Sequence, residues 1–155
     1  MPARRWLATA ILVLLAGPVR ADEHSVHVWL NPGIFTHHFK DRNLREDNYG
    51  LGIEVEPAPE YALVAGTFIN SNGERSHYGG YYWHPWEWKP DGVSVRPGFV
   101  FALFDGYSDV NHGHWFPTVI PSVSAEYGIV GANLGLVVNP KNGSALALQL
   151  KLRVW

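Results

Sequence analysis

The stretch Ala145-Leu146-Ala147-Leu148-Gln149-Leu150-Lys151-Leu152-Arg153-Val154 alternates with period two. Leu146, Leu148, Leu150, Leu152 and Val154 fall on one face, and Ala147, Gln149, Lys151 and Arg153 on the other. This is the pattern of a strand whose two sides meet different surroundings. Two architectures produce it with opposite directions. In a soluble sandwich or a lipocalin-like binder the leucines point into a core and the charges meet water. In a membrane barrel the leucines meet lipid, and Lys151 and Arg153 line a polar lumen.

Working outward from this strand, seven further segments read as extended: residues 26–37, 49–56, 61–70, 76–83, 93–104, 119–127 and 129–138. Each is close to the roughly 9–11 residues that a tilted strand needs to cross a hydrocarbon layer. Turn-rich pieces separate them, among them Glu56-Pro57-Ala58-Pro59-Glu60, Asn72-Gly73-Glu74 and Pro90-Asp91-Gly92. Beyond residue 21, no stretch keeps an apolar stripe at helical spacing for three turns. Aromatic residues gather at strand ends, in Tyr81-Tyr82-Trp83-His84-Pro85-Trp86-Glu87-Trp88, at Trp115-Phe116 and at Trp155. Trp and Tyr favour a water–lipid boundary because they join an apolar body to a polar edge. The expectation is an all-β, eight-stranded antiparallel up-and-down transmembrane β-barrel.

Residues 1–21 carry Arg4-Arg5, an apolar run from Trp6 to Gly17, and the small residues of a cleavage site ending at Ala21. That is the pattern of a secretory signal peptide, with the barrel domain over residues 22–155. Cleavage moves the formal charge from −2 to −5, because Arg4, Arg5 and Arg20 leave and no acid does. An acidic exported domain gives no reason to expect a nucleic-acid partner. The sequence has no cysteine, which excludes disulfides, thiolate metal sites and a cysteine nucleophile. His112-Gly113-His114 with Asp109 lacks a defined third ligand, so neither metal nor cofactor is expected.

Three segments resemble the lipid A palmitoyltransferase (PagP-type) outer-membrane barrels. Pro117-Thr118-Val119-Ile120-Pro121-Ser122-Val123-Ser124-Ala125-Glu126-Tyr127-Gly128 is similar to a Pro-x3-Pro-x2-Ser-x2-Tyr-Gly run of that family, and is followed by Pro140. Pro32-Gly33-Ile34-Phe35-Thr36-His37-His38-Phe39 resembles a Pro-x4-His segment whose histidine is catalytic. Phe68-Ile69-Asn70-Ser71 resembles a Phe-x-Asp-Ser segment whose Asp and Ser are catalytic. The resemblance implies a monomer in the outer membrane of a Gram-negative bacterium, whose partners are membrane lipids (lipid A and phospholipid). It also implies transfer or hydrolysis of acyl chains. Prolines remove ladder N–H groups, and in the resembled family such weakened seams admit acyl chains sideways; Pro117, Pro121 and Pro140, together with Pro32, take that part here.

The departures matter as much. Asn70 stands where the family has Asp, so no carboxylate is offered there to an imidazole. Spacing from Pro32 selects His37, the following Phe39 suits His38, and on a regular strand only one of them faces inward. Tyr82 stands where the family has the glycine that floors its acyl pocket; pointing inward, it would shorten or exclude a chain. The expected roles are His37 or His38 as base, Ser71 as nucleophile or hydroxyl donor, Asn70 as orienter or oxyanion donor, and Tyr82, Pro117, Pro121 and Pro140 as substrate-binding residues. The competing class is a non-catalytic barrel, structural or amphiphile-binding, in which Asn70 and Tyr82 mark lost activity.

Overall fold

The computed structural model describes residues 25–40, 43–139 and 143–155. Residues 1–21, whose sequence pattern reads as a signal peptide, and Pro140 lie outside them. Eight strands follow in order: β1 (His27–His38), β2 (Asp47–Ala58), β3 (Tyr61–Ile69), β4 (Arg75–Trp83), β5 (Ser94–Phe104), β6 (Phe116–Tyr127), β7 (Val130–Asn139) and β8 (Gly143–Arg153). Each pairs antiparallel with its sequence neighbours, and β1 closes on β8. The chain is therefore an all-β, closed, up-and-down barrel. Closure removes both sheet edges, which no open eight-stranded sheet achieves.

The alternation read in β8 runs in the barrel direction. Leu148, Leu150, Leu152 and Val154 are exposed on the outside, while Ala145, Gln149 and Lys151 are buried inside. This is the reverse of what a soluble lipocalin-like core requires. The same rule holds around the wall: Leu51, Ile53, Leu63, Leu103, Val119, Val123, Leu134, Leu136 and Val138 are exposed, and Asn48, Glu54, Arg96, Ser124 and Asn133 are buried.

One rim, the loop rim, holds the C-terminal ends of β1, β3, β5 and β7 and the connections 70–74 and 105–115. The other, the termini rim, holds the start of β1, the end of β8 and the connections 59–60, 84–93 and 128–129. Segment 84–93 is longer than the two-residue links beside it. It folds back through Trp88, whose N–H and C=O bond Val95 at 2.9 and 2.8 Å. At the same rim the start of β1 meets the end of the chain, with Val28 N–H donating to Trp155 O at 2.9 Å.

Two interruptions mark the wall. Between Asn31 and Gly33 the β1–β2 register shifts, and β1 makes no pairs with β8 between Leu30 and Phe35. Pro32 lies inside this bulge, and Gly33 adopts φ 142°, where a Cβ would come within 2.8 Å of the β2 backbone. The second interruption is on β6. The β5–β6 ladder runs past both Pro117 and Pro121, so the N–H groups these residues lack belong to the β7 side. There pairing begins only at Ser122↔Gly135.

The lumen is filled in two zones. An apolar cluster joins Ala62, Val64, Phe68, Tyr78, Tyr82, Val100 and Ala102, running along β3, β4 and β5 from Ala62 and Tyr82 up to Phe68 near the loop rim. Gly52 and Gly66 make room for the Tyr78 hydroxyl, which would lie 2.1 and 2.6 Å from a Cβ at those positions. Toward the termini rim five charged side chains interlock. Arg96 holds Glu56 through two bonds of 2.6 and 2.9 Å and also binds Glu126. Lys151 Nζ lies 2.6 Å from both Glu54 and Glu126, and 4.7 Å over the Trp29 ring. Charges removed from water are tolerated only when matched in this way.

Candidate functional site

The bulge at Pro32 and Gly33 decides which histidine enters the site. Trp29, Asn31 and Gly33 face inward on the first half of β1. An extra residue in one strand inverts the parity beyond it, so Ile34, Thr36 and His38 take the inner side, while Phe35 and His37 turn out. His37 is exposed, with Nδ1 3.3 Å from a carboxylate oxygen of Glu46. Spacing from Pro32 points to His37 and the following Phe39 to His38; it is His38 that turns inward.

His38 Nε2 lies 3.0 Å from Ser71 Oγ, across 33 residues of sequence. The segment that follows His38 is tied to Ser71, because Arg45 N–H donates to Ser71 O at 3.0 Å. Glu46 accepts from His38 N–H at 3.4 Å. Beneath the pair, Thr36 donates to Asn48 Oδ1 at 2.7 Å, and the Asn48 amide donates to Ile69 O at 2.9 Å, joining β1, β2 and β3 at the loop rim.

Asn70 is fully buried, and its amide is committed on all four valences. Nδ2 donates to Ser76 Oγ and to Gly106 O, each at 2.9 Å, and Oδ1 accepts from Asn72 N–H and Glu74 N–H, each at 3.0 Å. It fixes the turn that presents Ser71 and has no hydrogen left for the imidazole. An aspartate would aim a carboxylate at the Gly106 carbonyl, which explains in local terms why an amide stands here.

Ile34, four residues and so about 13 Å along β1 from His38, lines a cavity of about 60 Å³ with Val64, Tyr78, Tyr82, Val100 and Phe104. Tyr82 points inward and is buried. The space is less than half of the roughly 150 Å³ that takes up benzene in an engineered core. Its floor is polar: Ser122, Asn133 and Gln149 face it, and Gln149 donates to Tyr78 Oη at 3.2 Å. Pro117 and Pro121 sit on the outer face of the weakly paired β6–β7 seam, next to Ile120 of the cavity wall.

Three features were missed in the sequence. Glu54, Glu56 and Glu126 each bring a carboxylate oxygen within 4.8 Å of the others, but Arg96 and Lys151 already occupy them. His84 stacks on Tyr82 at 5.5 Å. Burial, with the positive charges of Arg96 and Lys151, pushes His84 down to about 4. On the outer wall, His77 Nδ1 lies 3.1 and 3.2 Å from the two Asp105 oxygens. Inward parity could have flagged Glu54 and Glu56; nothing local marked the cross-strand pairs. His112 lies exposed in the 105–115 loop, as does His114. No family model matches the chain, and no curated protein matches it.

Proposed function

We propose that this chain is an outer-membrane barrel that cleaves or transfers acyl esters of envelope lipids at its loop rim, with Ser71 as nucleophile and His38 as base. The observation that carries this reading is the 3.0 Å contact between His38 Nε2 and Ser71 Oγ, placed above an apolar cavity on the same inner face of β1. A hydroxyl within hydrogen-bond reach of an imidazole is the minimal arrangement for acyl transfer. Ser71 Oγ attacks the ester carbonyl while His38 Nε2 takes its proton. The departing alkoxide recovers that proton; a lipid hydroxyl or water then attacks the acyl-serine and gives its proton to His38, which returns it to Ser71 Oγ as the acyl–serine bond breaks.

Membrane placement rests on the exposed apolar wall around a charged lumen, an arrangement that water would disfavour and lipid favours. Residues 1–21 supply an export signal. The β6–β7 seam beside Pro117 and Pro121 is the lateral route by which a chain enters. Tyr82 limits the chain that fits.

A second reading, a non-catalytic amphiphile binder, is favoured by two observations: the Asn70 amide is spent on the turn, and Tyr82 is buried in the lumen against the cavity. Purified barrel in mixed micelles with phospholipid separates the two. Acyl release or transfer is expected from the native protein and from His37→Ala, and is expected to fall at least 100-fold in Ser71→Ala and His38→Ala. Equal, background-level product from all four would favour the binder. Heat-modifiable gel mobility and recovery in the outer-membrane fraction test placement; a freely soluble product would end the membrane reading.

A further inference from the structure

We propose that the outer face of β3 and β4, just below the loop rim, holds the phosphate of an anionic lipid through Arg75 and His77. The inference rests on the membrane placement above and adds a partner for that site. Cross-strand rows locate the surface. Ile53, Ala65, Gly79 and Leu103 form one row of the outer wall, and all are apolar. One row nearer the rim, Leu51 is followed by Thr67 and His77, with Asp105 beside them; above these, Ile69 pairs with Arg75. The wall thus changes from apolar to polar, with the guanidinium of Arg75 at its edge, within two rows, where hydrocarbon gives way to headgroups.

The side chains suit an anion. Arg75 is exposed and donates from Nη1 to Thr67 Oγ1 at 3.3 Å, and it has no ion pair among the described residues. Its fork of N–H donors matches phosphate geometry. His77 is half-exposed. Asp105 grips its Nδ1, and accepts its backbone N–H at 2.6 Å, so the ring is fixed and Nε2 remains for a ligand. Asp105 is engaged with the His77 ring and backbone, and no carboxylate pairs with Arg75 among the described residues. At a lipid boundary an anionic headgroup is the available counter-charge. On β7 and β8, by contrast, the outer wall stays apolar through Val138 and Leu146, so the feature is local. Arg75 directly follows the 70–74 turn that presents Ser71, and a headgroup held there brings the lipid to the edge of the reacting pair.

Native mass spectrometry of the full barrel in a neutral detergent, titrated with phosphatidic acid or with uncharged diacylglycerol, reads the site without turnover. The native protein and Ser71→Ala are expected to prefer phosphatidic acid by about tenfold or more. Arg75→Gln is expected to lose most of that preference and Arg75→Gln with His77→Gln all of it, while both keep heat-modifiable mobility. Arg75→Lys, which keeps the charge and not the fork, should retain part. Three results would overturn the proposal: no preference in the native protein, a preference unchanged in the double variant, or displacement by millimolar inorganic phosphate, which would mark a free-phosphate site. Since Ser71 takes no part in this readout, failure of the acyl chemistry and failure of the headgroup site are separate outcomes.

Discussion

At the scale of single residues, Asn70 and Gly33 show how little freedom the site has. Asn70→Asp replaces two donors with lone pairs in a fully buried position and sets a charge against the Gly106 carbonyl. A loss of about 2–3 kcal/mol is expected, with no gain of acyl activity, read by urea unfolding in micelles beside the product assay. Restoration of activity would mean that the carboxylate can reach His38 after all. The substitution was visible in the sequence as a departure; its reason was not, because Ser76 and Gly106 come from other strands and loops. Gly33 is similar. Period-two reading assigned the two histidines opposite faces, which holds, but the φ of 142° at Gly33 that exchanges them depends on a β2 backbone 15 to 17 positions away in sequence.

Strands and seams belong to the next scale. All eight strands were legible because each buries one face and exposes the other, and period two survives in sequence. Boundaries moved where prolines or turns intervene: β6 starts at Phe116, not 119, since Pro117 keeps its β5 pairing while leaving the β7 side unbonded. If that seam admits lipid chains, Pro117→Ala with Pro121→Ala restores two donors and should tighten it. Slower hydrogen exchange over residues 117–121 and 136–138 and a fall in acyl turnover of about tenfold are expected; faster turnover would count against lateral entry. The Tyr82 side chain bounds the cavity from β4. Tyr82→Ala is expected to lengthen the chain accepted, measured as the product distribution over a ladder of acyl lengths.

For the whole molecule, the division of the lumen governs both stability and access. The charged network closes the half nearer the termini, and its worth lies in its completeness. Lys151→Ala leaves Glu54 short of its cation, with about 3–5 kcal/mol of stability expected to go. A joint Lys151→Met, Glu54→Gln replacement should cost much less. His84, beside this network and with its pKa lowered to about 4, makes stability depend on pH. Above its ordinary value of 6.5 it is neutral folded or unfolded. As pH falls from about 6.5 to about 4, only the unfolded chain gains the proton, so stability drops by about 3 kcal/mol and then levels. His84→Gln should flatten that part of the curve. The network could not be read from sequence, since its members sit on four strands and each looked like an ordinary inward polar residue.

These scales meet in one claim, that the His38–Ser71 pair works on lipids around the barrel. The most direct test is the mass spectrum of lipid A and phospholipids from Gram-negative cells expressing the chain or its Ser71→Ala variant at equal, outer-membrane levels. The account predicts a change in acyl number or an increase in lyso-lipid that the variant abolishes. Identical spectra from both, matching cells without the gene, would contradict it.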